Sequence, residues 1–333
     1  MEARVGGKLK ILYIVDILSK YSDEEHPINA GEICRYLAEY GIKAERKAIY
    51  DDIDNLMFYG YDIIKTRTPR AGFFMASREF ELPELYLLTD AVQSTDFITP
   101  KKTRELVAKL EAMMSKEQAR ARENSIYIDY SHKCDNEEIY LSIDALRVAI
   151  SEGKKVTLKY RTRQIDEKRQ ITFKEKLFTV SPYALIWVDD HYYLVGNNEK
   201  YDNLMHMRID RMKTVTVLDE PYRHFSRVCS YKERFDIADY VSKTFNMYGG
   251  ELENIELSCN YGILEQVIDR FGADIHIIGV EDGRFSFRTK GLVSQGLVGW
   301  IMQFCGDIEV VNPPSLRKMI CENIEVLSKT YKN

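Results

Sequence analysis

The chain has 333 residues, 45% hydrophobic and 30% charged, an ordinary soluble composition and too long for one typical core, so two or three domains are expected. No run of about 18 uncharged apolar residues offers a membrane span, and the opening MEARVGGKLK lacks the apolar core of a signal peptide, so a cytoplasmic protein is expected. A net charge of -5 excludes a generally basic coat for nucleic acid, so any DNA contact must rest on local charge and motif.

Residues 8–20 place Leu9, Leu12, Tyr13, Val15 and Ile17 on an apolar stripe and predict a first helix. After the turn signal SDEEHP, Asn29 stands three residues before Glu32, close to a capping box, and Ile33, Leu37 and Tyr40 continue at helical spacing to Gly41. A short link, Ile42 and Lys43, leads to a third helix over 44–60 with Ile49, Ile53, Leu56 and Met57 on one face. Three short helices with a tight second connection suit a helix-turn-helix, whose last helix presents its first turn to base edges. Glu45, Arg46, Lys47 and Tyr50 occupy that turn. Asp51, Asp52 and Asp54 would repel phosphate and are expected at the side or back. Ile63–Lys65, a TRTPRAG loop and Phe73–Met75 read as a two-stranded wing, with Lys65, Arg67 and Arg70 near its tip to reach backbone phosphates. The same pattern also fits a structural three-helix core with a solvated basic face. The winged helix-turn-helix domain is placed at 1–80.

A helical connector follows at 81–135, with two amphipathic stretches broken at Thr99-Pro100. Its Leu85, Leu88, Val92, Leu106 and Leu110 suit either packing within the chain or a homodimer contact. From about 140 a helix is followed by short alternating runs, VTLKYR, QITFKEKLFTVSPYALIWV, HYYLVGNN, NLMHMRIDRM and TVTVL, which predict a small SH3-like barrel at 136–220. Within it, residues 154–176 carry nine Lys or Arg against three Asp or Glu, a local charge of +6. After a mixed segment, residues 245–333 follow the strand, helix, strand, strand, helix, strand order of a ferredoxin-like module. The fold class is thus multidomain α+β.

Nothing in the sequence points to catalysis. It contains no nucleophile elbow, phosphate loop or dinucleotide fingerprint, and Asp189-Asp190 fits a hairpin turn. Cys34, Cys134, Cys229, Cys259, Cys305 and Cys321 form no CxxC pair and have no His at ligand spacing, so reduced, mostly buried thiols are expected, with no metal and no cofactor.

The run His191-Tyr192-Tyr193-Leu194-Val195-Gly196, followed by His206-Met207-Arg208-Ile209-Asp210-Arg211-Met212, resembles the signature of WYL-domain transcriptional regulators. The likeness extends over the chain: winged helix, helical connector, Sm-like barrel and a C-terminal extension with FGADIHI, the Trp300 helix, Gly306 and the NPPSLR segment. Two positions depart, Tyr192 where the eponymous triad has Trp and Met205 where the family often has Arg, which puts ligand preference in doubt. The resemblance implies a one-component regulator that binds a double-stranded DNA operator and whose WYL domain senses a ligand, a nucleic acid or nucleotide in several relatives. Tyr192 or Tyr193 would then stack on a base, with Arg208, Arg211 and the +6 stretch on phosphates. Tyr160, Arg161, His191 and His206 complete the candidate set. Tyr193 is equally suited to the core, Arg211 to an ion pair with Asp210 or another acid, and the two histidines to hydrogen bonds rather than metal. Two other readings stay open: a regulator sensing a small anionic metabolite between barrel and ferredoxin-like module, and a winged helix that docks protein instead of DNA.

Overall fold

The computed structural model describes residues 9–122 and 133–332, and the chain divides into two compact units, Met1–Asp135 and Asn136–Asn333. Lys8 and residues 123–132, which fall in the expected first helix and connector, lie outside the described residues. In the first unit, α1 (Lys10–Tyr21), α2 (Ala30–Glu39) and α3 (Arg46–Tyr59) precede a hairpin of β1 (Ile63–Thr66) and β2 (Gly72–Met75). Asn29 starts α2 by a reciprocal cap: its Oδ1 accepts from the Gly31 and Glu32 amides at 2.9 and 3.0 Å, while Glu32 Oε2 accepts from the Asn29 amide at 2.8 Å. Gly60 stops α3 at φ 118°, a left-handed conformation that suits glycine. Ile28 exchanges backbone hydrogen bonds with Phe73, an isolated bridge beside β2.

The core of this unit is Ile14, Ile17, Leu18, Ile33, Leu37, Ile49 and Ile53, all essentially fully buried. The stripe expected on α1 is therefore rotated. Ile14 and Leu18 turn inward with Ile17, while Leu9 and Leu12 stay exposed. Leu and Ile alternate so densely there that two helical phases are nearly equal in hydrophobicity, and packing on α2 and α3 selects one.

The connector forms three helices, α4 (Leu82–Ser94), α5 (Pro100–Glu111) and α6 (Lys116–Arg122). Thr99 caps α5 at the expected break, and a second break follows where Ser115 and Gln118 cap α6 reciprocally at 3.1 and 3.0 Å. These helices are tied to the first three. The Arg78 guanidinium donates to the carbonyls of Ser19 and Ser22, both at 2.8 Å, and of Met113 at 3.2 Å, and Ser115 Oγ hydrogen-bonds to Asp23. Leu85 is buried within the chain, whereas Leu88 and the neighbouring Leu87 are exposed.

In the second unit, α7 (Ile139–Glu152) precedes five strands, β3 (Lys154–Ile165), β4 (Ile171–Val188), β5 (His191–Asn197), β6 (Met205–Arg208) and β7 (Met212–Pro221), and packs chiefly on β7, β4 and β3. Their order is β6-β5-β4-β3-β7 with antiparallel neighbours. The expected closed barrel is not formed. β6 and β7 are the two edges of the ladder, and the tight turn Ile209–Arg211 joins them without strand pairing. The long β4 changes register between Pro182 and Ala184, opposite Gly196. A Cβ on Gly196 would lie 2.6 Å from the Ser181 carbonyl oxygen and 2.8 Å from Val180 Cγ1. Gly196→Ala is accordingly expected to lose about 1–3 kcal/mol from overpacking, read as an earlier urea transition in tryptophan fluorescence; an unchanged midpoint would show that the strands part without cost.

A segment with the short helix α8 (Ile237–Lys243) leads to β8 (Glu251–Asn260), α9 (Leu264–Phe271), β9 (His276–Glu281), β10 (Arg284–Val293), α10 (Gln295–Met302), β11 (Ile308–Asn312) and α11 (Pro314–Tyr331). The order β11-β8-β10-β9, antiparallel throughout, is the split arrangement in which each helix crosses over one intervening strand. Leu257, Cys259, Val267, Phe285, Phe287 and Leu297 fill its core. Cys259 is the one buried thiol; Cys34, Cys134 and Cys229 are half-buried and Cys305 and Cys321 exposed, so mostly buried cysteines were the wrong expectation.

Candidate functional site

Two surfaces collect the residues singled out by sequence. On the first unit, Glu45 precedes α3 in extended conformation, and Arg46 and Lys47 follow in its exposed first turn. Arg46 leans over the start of α2, where a Cβ on Gly31 would come within 3.2 Å of its guanidinium. Tyr50 is half exposed and meets Phe73 of the hairpin edge to face at 5.5 Å. Lys65 Nζ sits 5.1 Å from the Tyr50 ring centre, which fixes the hairpin against α3. Arg67 is exposed in the loop between the strands. Arg70 folds back instead: its Nε donates to the Pro27 carbonyl at 2.7 Å and its Nη1 to Glu32 at 3.3 Å. Asp52 turns away from this surface to pair with Lys10 at 2.7 Å, while Asp51 and Asp54 are exposed.

On the second unit, strand register sorts the candidates. Tyr193 stands opposite Arg208 and Val195 opposite His206, so His191, Tyr193, His206 and Arg208 share one face of the sheet. Tyr192 is on the other face, edge to face with Trp187 at 4.8 Å. Arg208 makes a two-pronged pair with Asp210, Nε to Oδ1 at 3.0 Å and Nη2 to Oδ2 at 2.7 Å, and its amide donates to the Tyr160 hydroxyl at 3.3 Å. Burial works against the Arg208 charge, but the Asp210 carboxylate outweighs it and holds the guanidinium pKa above its ordinary value. The ion pair expected for Arg211 thus belongs to Arg208, and Arg211 is exposed on the turn after β6. Burial raises the pKa of the half-buried Tyr193, opposed by the positive field of Arg208 and Arg211. His191 Nδ1 lies 2.7 Å from the Asp189 carbonyl, its ring 6.4 Å from that of Tyr193.

The +6 stretch spans all of β3 and the start of β4, and it is largely exposed only from Thr162 outward. Arg161 stacks over Phe173 there at 3.9 Å. His206 points elsewhere, its Nε2 2.8 Å from the Tyr240 hydroxyl, and burial lowers its pKa to about 4. With Cys229, Tyr231, Tyr240 and Lys243, none of which the sequence reading singled out as ligand-binding, it lines a cleft. The aromatic spacing of Phe225, Tyr231, Phe235 and Tyr240 in the segment read as mixed was the available signal.

Among the described residues no cluster of His, Cys, Asp or Glu is arranged to hold a metal ion, and no helix is long and apolar enough to cross a membrane. Residues 142–217 match the WYL domain and residues 251–327 the WCX domain. No curated protein matches the chain. Among solved structures it is similar to proteasome accessory factor B/C (PafBC) of Arthrobacter aurescens, at 16% identity over 100% of this chain and 51% of that one, with a TM-score of 0.27. The chain therefore spans about half the length of that protein.

Proposed function

We infer that this chain, which contains a WYL domain followed by a WCX domain, is a DNA-binding transcription regulator acting in the cytoplasm by binding rather than catalysis. The observation that supports the reading most is the exposed first turn of α3, with Arg46 and Lys47 beside a hairpin that offers Lys65 and Arg67. Read as a winged helix, α3 enters the major groove and the hairpin cations meet phosphates on either side. Arg70 serves mainly as a strap to the capping Glu32. Leu87 and Leu88, exposed on α4, supply the apolar contact of a homodimer.

The second unit is the sensor. Its face with Tyr160, Tyr193, Arg208 and Arg211, together with the cationic β3–β4 hairpin, suits a single-stranded nucleic acid or nucleotide: a ring for base stacking and guanidinium groups for phosphate. Asp210 competes with a phosphate for the Arg208 guanidinium, which makes that ion pair an element an effector can tip.

Binding of the full chain to random duplex DNA at two salt concentrations tests the first half, because phosphate contacts release counterions and affinity must fall as salt rises. Salt-insensitive association with a protein would instead support a docking module. Genomic mapping of bound DNA supplies the operator. On that operator Arg46→Ala is expected to weaken binding by about 1–3 kcal/mol and relax base preference. Unchanged affinity and preference would remove Arg46 from the base-reading set.

A further inference from the structure

The cleft beneath His206 has a volume of about 820 Å³, room for a small organic molecule. Three stretches far apart in sequence build it: Asp202–His206 at the start of β6, Val228–Tyr231 with α8, and Gly249–Leu252 at the start of β8. Its wall is apolar and aromatic, with Leu204, Val228, Tyr231, Tyr240 and Leu252 foremost. Its charges are neutralised from within. Lys243 Nζ lies 2.5 Å from Asp239, which also accepts from the Tyr231 hydroxyl at 2.5 Å, and Asp202 pairs with Arg223 at 2.6 Å. The remaining charged lining residue, Glu251, would repel an anion. His206 and Tyr240 supply hydrogen-bonding capacity without charge at neutral pH, since burial keeps the imidazole neutral. Burial also raises the Cys229 pKa, which keeps the thiol protonated and favours reversible over covalent capture.

We propose that this cleft binds an uncharged small molecule with a two-ring apolar body, laid against the Tyr231–Tyr240 ring pair, whose centres are 6.4 Å apart edge to face, and oriented by hydrogen bonds to His206 and Tyr240. The site adjoins the Arg208 face through His206 but is lined by none of Tyr160, Tyr193, Arg208 and Arg211, and it does not depend on DNA binding by the first unit. It also differs in ligand class from an anionic metabolite, which finds no uncompensated cation among the described lining residues. His206 and Arg208 lie on the same face of the four-residue β6, so an occupant pressing on that strand acts directly on the element that carries the Arg208–Asp210 pair.

The test uses the full chain and two related fluorophores, uncharged N-phenyl-1-naphthylamine and anionic 8-anilinonaphthalene-1-sulfonate. The uncharged probe is expected to brighten to saturation at one per chain and to bind at least tenfold tighter than the anionic one. Hydrogen exchange should slow at 202–206, 228–231 and 249–252 when the uncharged probe is bound. Leu252→Asp is expected to weaken its binding at least tenfold, while Ile324→Asp, exposed on α11, leaves it unchanged. Non-saturable binding, equal or tighter binding of the anionic probe, or protection confined to other segments would overturn the assignment. The exchange measurement on the unaltered protein decides the matter should Leu252→Asp fail to fold.

Discussion

Arg122→Ala is expected to destabilise the first unit by about 3 kcal/mol. Arg122 ends α6 with its side chain 7% exposed, and its guanidinium reaches Asp90 at 2.8 Å and Gln93 on α4 and Glu111 at 3.3 Å on α5. One cation thus holds three helices together. Removing a single member of a buried ionic network costs about 3–5 kcal/mol, because the groups left behind keep their desolvation without their partner. Asp90 and Glu111 remain about a third exposed, so water recovers part of the loss and places the effect at the lower end. Arg122→Met, which keeps the apolar stem, should lose nearly as much if charge is what matters.

Both tryptophans, Trp187 and Trp300, lie in the second unit, so tryptophan fluorescence reports that unit while far-ultraviolet circular dichroism reports both. The urea midpoint of the fluorescence-silent transition should fall by about 1–3 M, given slopes of about 1–3 kcal/mol/M, with the fluorescence transition unmoved. A shift worth less than about 1 kcal/mol in both variants would show that the network adds no more than a surface ion pair.

What the sequence made legible was local. The Asn29 and Glu32 cap, the Gly60 stop and the hairpin after α3 depend on residues a few positions apart, and each stands as its chemistry requires. The order of the C-terminal strands was also readable, because alternation and turn residues mark each element. What failed lay in the barrel and its site, where long-range pairing decides. Closure of the barrel depends on whether two edge strands meet, and periodicity within β6 and β7 says nothing of that. Arg211 looked the natural partner of Asp210 until the tight turn at Ile209–Arg211 ended the strand and left that carboxylate to Arg208. His206 could not be separated from the Arg208 cluster, because its partner Tyr240 lies 34 residues away.

That buried histidine sets the second large expectation, a loss of stability in the second unit on mild acidification. Burial lowers the His206 pKa from 6.5 to about 4, with no ionised partner contributing to the shift. Above about pH 6.5 the imidazole is neutral in both folded and unfolded chains and contributes nothing to the pH dependence. As pH falls below that value only the unfolded chain takes up the proton, so stability declines through the interval and levels off once the folded imidazole also protonates near pH 4. At 1.36 kcal/mol per unit, the loss amounts to about 2–3 kcal/mol by about pH 4.5. Carboxylates begin to titrate in the same range, so the measurement is a comparison. Urea unfolding followed by tryptophan fluorescence at pH 7.5 and pH 4.5 should show a smaller acid loss for His206→Gln than for the unaltered chain, by about 2–3 kcal/mol. Gln keeps a polar group within reach of the Tyr240 hydroxyl but takes no proton, so the difference belongs to the imidazole alone. Equal losses in the two proteins would mean that His206 charges freely in the folded state, and that water or rearrangement of Tyr240 admits the proton to the cleft.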